Sequence, residues 1–144
     1  TIMSSRQIYD AALNDSDKSV VVSADRRYKI LYGFIELITT ATVGNRQVAI
    51  EILDDSANVV FRSLAGAVQA ASLTREYHFS PNGVREAAFV NIQILIPIPP
   101  DLILLPGWTY RIYDTAAIDA AADDMTTSTL IEDRELNRFD PDAG

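Results

Sequence analysis

The single histidine, His78, is the first residue to consider as a catalytic group. A general base needs a positioned partner and a nucleophile within hydrogen-bond reach. His78 alternates with Tyr77 and Phe79 in a segment that predicts a strand, so its side chain points to the face opposite these aromatic residues. The sequence contains no Gly-x-Ser-x-Gly motif that would mark a nucleophilic serine. We therefore expect His78 to face solvent and the protein not to be an enzyme.

An acidic segment over residues 114–125 is the next candidate, because its carboxylates could hold calcium through their oxygens. The spacing of these carboxylates matches no EF-hand loop, and the alanines between them supply no further ligands. The alternative is a solvated loop whose aspartates cap local turns, and the sequence favours it. We expect no metal and no cofactor. The four residues are Asp114, Asp119, Asp123 and Asp124.

Aromatic residues follow the Pro106-Gly107 turn, where Trp108 precedes Tyr110 and Tyr113. Exposed rings at such a place could stack on sugars. In the alternative, which we favour, Trp108 closes one end of an apolar core. The segment 43–46 has a single glycine after a strand and opens no helix, so it does not resemble a phosphate-binding loop.

The charge balance limits the choice of partners. Twelve Lys and Arg face twenty Asp and Glu, which gives a net charge of -8. Such a chain repels polyanions at long range, so we expect no nucleic acid as a partner. No stretch reaches the roughly 18 apolar residues needed to cross a bilayer, so we expect no membrane partner. With no cysteine, stability must come from packing and assembly.

Alternating apolar residues predict strands through most of the chain. One long strand is predicted over residues 28–43, with its inward face switching near Gly33, where a glycine indicates a bulge or bend. A hairpin is predicted around the turn 54–58. This pattern predicts an all-β fold, a two-sheet antiparallel β-sandwich that is jelly-roll-like. The other predicted strands are 20–22, 48–52, 59–62, 67–71, 74–79, 88–96, 108–113 and 126–132.

The two ends of the chain depart from this pattern. Residues 4–14 offer serine caps, and Ile8 with Ala12 and Tyr9 with Leu13 have the i, i+4 spacing of one helix face. We predict a short N-terminal helix or arm that docks on its own sandwich or on a neighbour. The expected organisation is an arm over residues 1–18, a sandwich over 19–136 and a polar tail over 137–144.

Four segments, in this order and spacing, resemble a family of small virion proteins of tailed bacteriophages. The likeness covers roughly residues 28–132. The role that this resemblance implies is that of a capsid decoration, or cement, protein with a jelly-roll-like sandwich. It implies no enzyme activity and no cofactor. The segments are 37–46 (LITTATVGNR), 66–74 (GAVQAASLT), 102–107 (LILLPG) and 111–125 (RIYDTAAIDAAADDM).

The resemblance implies a position on the outer capsid surface, which suits the acidic balance. The implied partners are the major capsid protein and further copies of this chain, as a dimer or trimer. Apolar side chains outside the core are candidate anchors for these contacts, or they pack back on their own sandwich. A tail, neck or fibre component and a carbohydrate-binding module for host attachment are the alternatives. The candidate anchors are Ile8, Tyr9, Leu13 and Phe139.

Overall fold

The computed structural model describes residues 3–11, 18–81, 93–116, 118–119 and 122–135. These residues form ten strands and no helix. The described residues therefore include no helix that is long and apolar enough to cross a membrane. The strands are β1 (Met3–Asp10), β2 (Lys18–Val21), β3 (Arg26–Ile38), β4 (Val48–Leu53), β5 (Val59–Leu64), β6 (Thr74–Pro81), β7 (Gln93–Ile98), β8 (Ile103–Leu104), β9 (Thr109–Asp114) and β10 (Asp124–Glu135).

The strands form two sheets. The larger sheet has the order β1-β10-β3-β6-β7, with β8 paired to β3, and the smaller sheet has the order β2-β9-β4-β5. Every pairing is antiparallel except that of β6 with β7. When β7 and β8 are set aside, the chain crosses repeatedly between two four-stranded sheets, which is the double Greek key of a jelly roll. The predicted all-β sandwich is confirmed.

The core lies between the two sheets and is built from alternate residues of each strand. Ile50 and Ile52 of β4 face Tyr77 and Phe79 of β6, and all four side chains are fully buried. Each side chain of this size stabilises the fold by about 1.5–3 kcal/mol when it leaves water. The alternation that predicted these strands is thus the alternation that fills the core.

The predicted switch of the inward face in the long strand is confirmed, but it lies before Gly33. Tyr32 pairs with Leu130, whereas Ile30 pairs with Ile131, so Leu31 is the extra residue of a β-bulge. Even-numbered residues therefore point into the core before the bulge, whereas odd-numbered residues do so after it. As a result, Tyr32 lies on the outer face of the sheet and not in the core.

Gly33 has a different role from the one expected. A Cβ atom at this position would lie 1.8 Å from the ring of Phe79, which covers the glycine from the neighbouring strand. Any larger residue would displace this core ring. Gly33 is therefore needed for packing and not for bending the chain.

The predicted N-terminal helix is wrong over residues 4–10, which form a strand, and residues 12–14 of that prediction lie outside the described residues. β1 pairs with β10 along its whole length, from Met3 opposite Arg134 to Asp10 opposite Thr127. A short helix would be unstable alone, whereas β10 offers an edge whose backbone groups need partners. In the strand Ile8 packs against the core and Tyr9 points outward.

Two predicted elements between the strands also need correction. The strand expected over residues 67–71 is a loop, held to the chain before β4 by one bridge between Arg46 and Gln69. The stretch expected to be a plain connection up to Leu105 contains β8, which pairs with β3. Residues 88–92 of another predicted strand, and the tail 137–144, lie outside the described residues.

Candidate functional site: the loop end of the sandwich

Three loops meet at one end of the sandwich, which we call the loop end. They are residues 39–47 between β3 and β4, residues 65–73 between β5 and β6, and residues 115–123 between β9 and β10, of which 117, 120 and 121 are not described. Contacts between side chains far apart in sequence join all three loops.

A buried ion pair joins the first and third loops. Arg46 donates from Nε to Oδ2 of Asp123 over 2.7 Å and from Nη2 to Oδ1 over 3.1 Å, and both side chains have zero exposure. The remaining nitrogen, Nη1, donates to the carbonyl oxygens of Thr42 and Gly44, each over 2.8 Å. A fully buried pair is tolerated only when its other hydrogen-bonding groups are satisfied, as they are here.

Asp119 strengthens the same junction. Its Oδ2 accepts hydrogen bonds from the hydroxyls of Thr40 over 2.7 Å and Thr42 over 3.0 Å, and these bonds hold the pKa of Asp119 below its ordinary value. Asp123 also accepts from the backbone N–H of Thr40 over 2.8 Å. The third loop is thus fixed on the first by charge-assisted hydrogen bonds.

The acidic segment is therefore only partly as expected. Asp114 caps its turn, since Oδ1 accepts from the N–H groups of Gln47 and Ala116 over 3.0 Å each. Asp123, however, is not solvated but completely buried. In the part of the chain that the structure describes, no three His, Asp or Glu side chains are placed to hold a metal ion.

Gln69 fastens the second loop. Its Nε2 donates to the carbonyls of Leu37 and Leu73 over 2.8 and 3.0 Å, and its Oε1 accepts from the hydroxyl of Tyr77 over 2.8 Å. Its backbone exchanges two further hydrogen bonds with Arg46, over 2.8 and 2.7 Å. Burial raises the pKa of Tyr77, so the phenol remains a donor.

The loop end exposes one large apolar side chain from each loop. Val43 is 90% exposed, and Val68 and Ile118 are also exposed. A Cβ atom on Gly44 would lie 2.8 Å from Cδ1 of Ile118, so the first and third loops touch beneath Val43. Gly44 has a φ of +146°, a backbone conformation that residues other than glycine rarely adopt. The exposed apolar side chains therefore lie on loops whose conformation is already fixed by buried polar contacts.

The described candidate anchors and His78 lie elsewhere, whereas Asp119 and Asp123 of the acidic segment lie at the loop end. Ile8 packs on its own core, Tyr9 is 64% exposed on the outer face of the larger sheet, and Leu13 and Phe139 lie outside the described residues. His78 is on that same outer face, as predicted, and is half-buried. Of the described residues, Ile8, Tyr9 and His78 all lie away from the loop end.

Trp108 packs against the core, which confirms the favoured interpretation. Tyr110 is buried, and the guanidinium of Arg111 lies 3.9 Å from the ring centre of Tyr113. The aromatic residues considered for sugar binding are thus occupied within the protein.

A second cluster of charges, on the outer face of the smaller sheet, was also not predicted. Glu51 is almost fully buried there between Arg62 and Arg111, and Nη1 of Arg111 donates to Oε1 over 2.8 Å. Burial raises the pKa of Glu51, but the hydrogen bonds and charges of both arginines outweigh it, so the pKa lies below its ordinary value. This cluster satisfies its carboxylate internally.

Comparisons with known proteins identify no family for this chain. No family model matches the chain, and no curated protein matches it. A solved structure titled "Turnip yellow mosaic virus" is similar over 97% of this chain and 84% of that chain, with 10% identity and a TM-score of 0.37. A similarity of this size carries no argument about function.

Proposed function

We propose that this chain is a structural protein of a virus particle, a decoration or cement protein that binds the outer capsid surface and bridges subunits of the major capsid protein. The observation that carries the proposal is the loop end, where Val43, Val68 and Ile118 are exposed on loops locked by buried polar contacts. A preordered surface loses little conformational entropy on binding another protein. Loops on a rigid sandwich are also where binding residues commonly lie.

The position of the resembling segments supports the same proposal. Residues 37–46, 66–74 and 111–125 are far apart in sequence but meet at the loop end. Three of the four segments that carry the resemblance to tailed-phage virion proteins thus meet at one surface. The fourth, 102–107, lies at the opposite end, where a Cβ atom on Gly107 would be 3.2 Å from Cβ of Asp55.

The charges of the chain support an exterior, non-enzymatic role. At -8, the chain would be repelled by packaged DNA, whereas the outside of a shell imposes no such repulsion. At the loop end, Arg46, Asp119 and Asp123 are engaged with one another's loops through hydrogen bonds. They act as structural ties, so we propose no catalytic step for them.

A tail, neck or fibre component would use the same surface but in few copies per particle. Copy number therefore separates this alternative from a decoration protein. The carbohydrate-binding alternative rested on Trp108, Tyr110 and Tyr113, which the structure uses for packing and for contact with Arg111. We do not propose it.

The test compares two exposed valines. Val43→Asp places a charge on the loop end, whereas Val21→Asp places it on a 60% exposed site of the smaller sheet. We expect Val43→Asp to weaken co-sedimentation with shells assembled from the particle's major capsid protein by about tenfold or more, the loss expected at an interface hot spot. Val21→Asp should bind like the wild type.

Two results would count against the proposal. Equal binding of both variants would show that the loop end is not the contact surface. Failure of the wild type to bind shells would overturn the decoration role itself. Far-UV circular dichroism of both variants guards against loss of folding, because single exposed substitutions usually change stability by only about 0.5 kcal/mol.

A further inference from the structure

The outer face of the larger sheet carries an exposed apolar surface that the loop end does not use. Cross-strand pairing places Tyr9 beside Ser128, Ser128 beside Phe34, and Phe34 beside His78, in one row across four strands. Leu130 and Tyr32 are paired in the adjoining row. We call this surface the aromatic patch, and its members are Tyr9, Tyr32, Phe34, His78 and Leu130.

The patch is ordered although it is open to solvent. The ring of His78 packs edge-on against Phe34, with centroids 5.2 Å apart, and its Nδ1 shares a hydrogen bond with the hydroxyl of Tyr32. Tyr32 is nevertheless 43% exposed and Leu130 is 40% exposed. A contiguous set of large apolar side chains on a surface is typical of a binding site.

Charges of opposite sign flank the patch along the strands. The end next to the start of β3, which we call the basic end, carries Arg27, Lys29 and Arg134 on the outer face. Glu132 pairs with Lys29 there, and Asp101 accepts a hydrogen bond from Lys29 over 2.8 Å. Three cations against two anions leave this end positive, on a chain whose net charge is -8.

The opposite end, which we call the acidic end, has the reverse sign. Glu36 of β3 is paired directly with Glu76 of β6, and Asp124 of β10 is paired with Ile38. Two carboxylates directly opposite each other on neighbouring strands are unfavourable within one chain. With Glu36, Glu76 and Asp124 on one end of the face, this end is negative, opposite in sign to the basic end.

We infer that the aromatic patch pairs two copies of this chain face to face, about a twofold axis that lies between the sheets and runs perpendicular to the strands. This axis sets patch on patch and places the basic end of each copy over the acidic end of the other. An axis along the strands would instead oppose like charges. The surface is therefore self-complementary in one orientation, as a twofold interface requires.

The size of the face suits a stable dimer. At about 3.3 Å per residue and about 4.8 Å between strands, β1, β10, β3 and β6 present a face of roughly 650 Å² before side-chain relief is counted. A standard interface buries about 800 Å² per partner. Two sheets packed this way lie about 10 Å apart, which leaves room for interdigitated aromatic rings.

Pairing about this axis has a consequence for the loop ends. Residues 39–47 follow the end of β3, so each loop end lies beyond the acidic end of its own copy. In the dimer the two loop ends point in opposite directions. The dimer does not depend on the shell-binding role, but it would give one decoration unit two contact surfaces with which to bridge capsid subunits.

The first test measures the mass of the purified chain in solution. We expect the wild type to sediment as a dimer at concentrations of about 10 to 100 μM, where interfaces of this size associate. Leu130→Glu and Tyr9→Glu should both give monomers, and Val21→Glu, on the smaller sheet, should remain dimeric. A monomeric wild type, or dimeric patch variants with native circular dichroism, would overturn the inference.

The second test examines the axis by charge reversal. Glu36→Lys combined with Glu76→Lys should dissociate the dimer at low salt, where charges act most strongly. Adding Arg27→Glu and Arg134→Glu in the same chain should restore it, because the reversed ends again complement each other. A dimer indifferent to the first pair of changes, or not restored by the second, would contradict the perpendicular axis.

Shell binding then separates this inference from the proposed function. Monomeric Leu130→Glu keeps its loop end, so it should still bind shells, with weaker retention because it has one contact surface in place of two. Normal dimers that bind no shells would remove only the decoration role. A wild type that is monomeric in solution and still binds shells would remove only the dimer.

Discussion

The Asp54 turn and the loop end lie at opposite ends of the sandwich and are held together by different kinds of contact. At the end opposite the loop end, Asp54 accepts hydrogen bonds from the N–H groups of Ser56 over 2.9 Å and Asn58 over 2.8 Å, so its turn is built from neighbours in sequence. At the loop end, Arg46 and Asp123 are 77 residues apart. The turn can form with its hairpin alone, whereas the loop end exists only once both sheets have packed. Its binding surface is therefore coupled to the whole fold.

The largest effect that this comparison predicts follows from breaking the buried ion pair. Arg46→Met leaves the carboxylate of Asp123 buried without its partner, and we expect unfolding free energy to fall by about 3–5 kcal/mol. Denaturant unfolding measures it. Replacing both residues, Arg46→Met with Asp123→Leu, should recover most of the loss, because no charge then remains buried. A loss below about 1 kcal/mol in the single variant would show that the pair is not a principal tie.

A smaller effect is expected from the second loop. Gln69→Leu keeps the volume of the side chain but removes the acceptor of the Tyr77 hydroxyl and one donor to the carbonyls of Leu37 and Leu73, at a cost of about 1–3 kcal/mol. Adding Tyr77→Phe should recover part of this loss, because one buried hydroxyl is removed. Strict additivity of the two changes in denaturant unfolding would contradict a shared network.

The smallest effect is expected at the opposite end, and it depends on pH. Hydrogen bonds from Asn58 and Ser56 lower the pKa of Asp54 below its ordinary value. They outweigh desolvation, which acts to raise this pKa. A lowered folded-state pKa contributes stability above the unfolded pKa of about 3.9, and this contribution is lost as the pH falls through the folded value. Asp54→Ala should therefore be less stable than the wild type at neutral pH, by much less than Arg46→Met.

The matched measurement is thermal unfolding of both proteins across the acidic range. The difference between Asp54→Ala and the wild type should vanish at the acidic end of the titration. A difference that is constant with pH would assign the effect to side-chain packing and not to the carboxylate.

The fold was largely predictable because its signal is periodic. Val48, Ile50 and Ile52 alternate with other residues, and all three lie in the core. The N-terminal segment was not predictable in this way, because the apolar spacing of Ile8 and Tyr9 fits a short helix as well as a strand. The edge of β10 decides between them, and that edge is a property of the folded sheet.

The candidate site was less predictable than the fold. Apolar anchors were expected in the terminal segments, whereas Val43 and Ile118 lie in loops rich in small residues that carry no periodic signal. One sequence clue exists, since Arg46 is the single charged residue between Glu36 and Glu51. Its pairing with Asp123 depends on how the sheets pack, so no local pattern contains it.

The most direct measurement for the proposed role is cryo-electron microscopy of purified particles, with icosahedral averaging. We expect density for the jelly roll on the outside of the shell, with the loop end around Val43 against the major capsid protein. Density with the loop end facing solvent would contradict the assignment of the binding surface. Absence from the averaged shell, with the protein present in the particles by mass spectrometry, would contradict the decoration role and favour a tail or neck position.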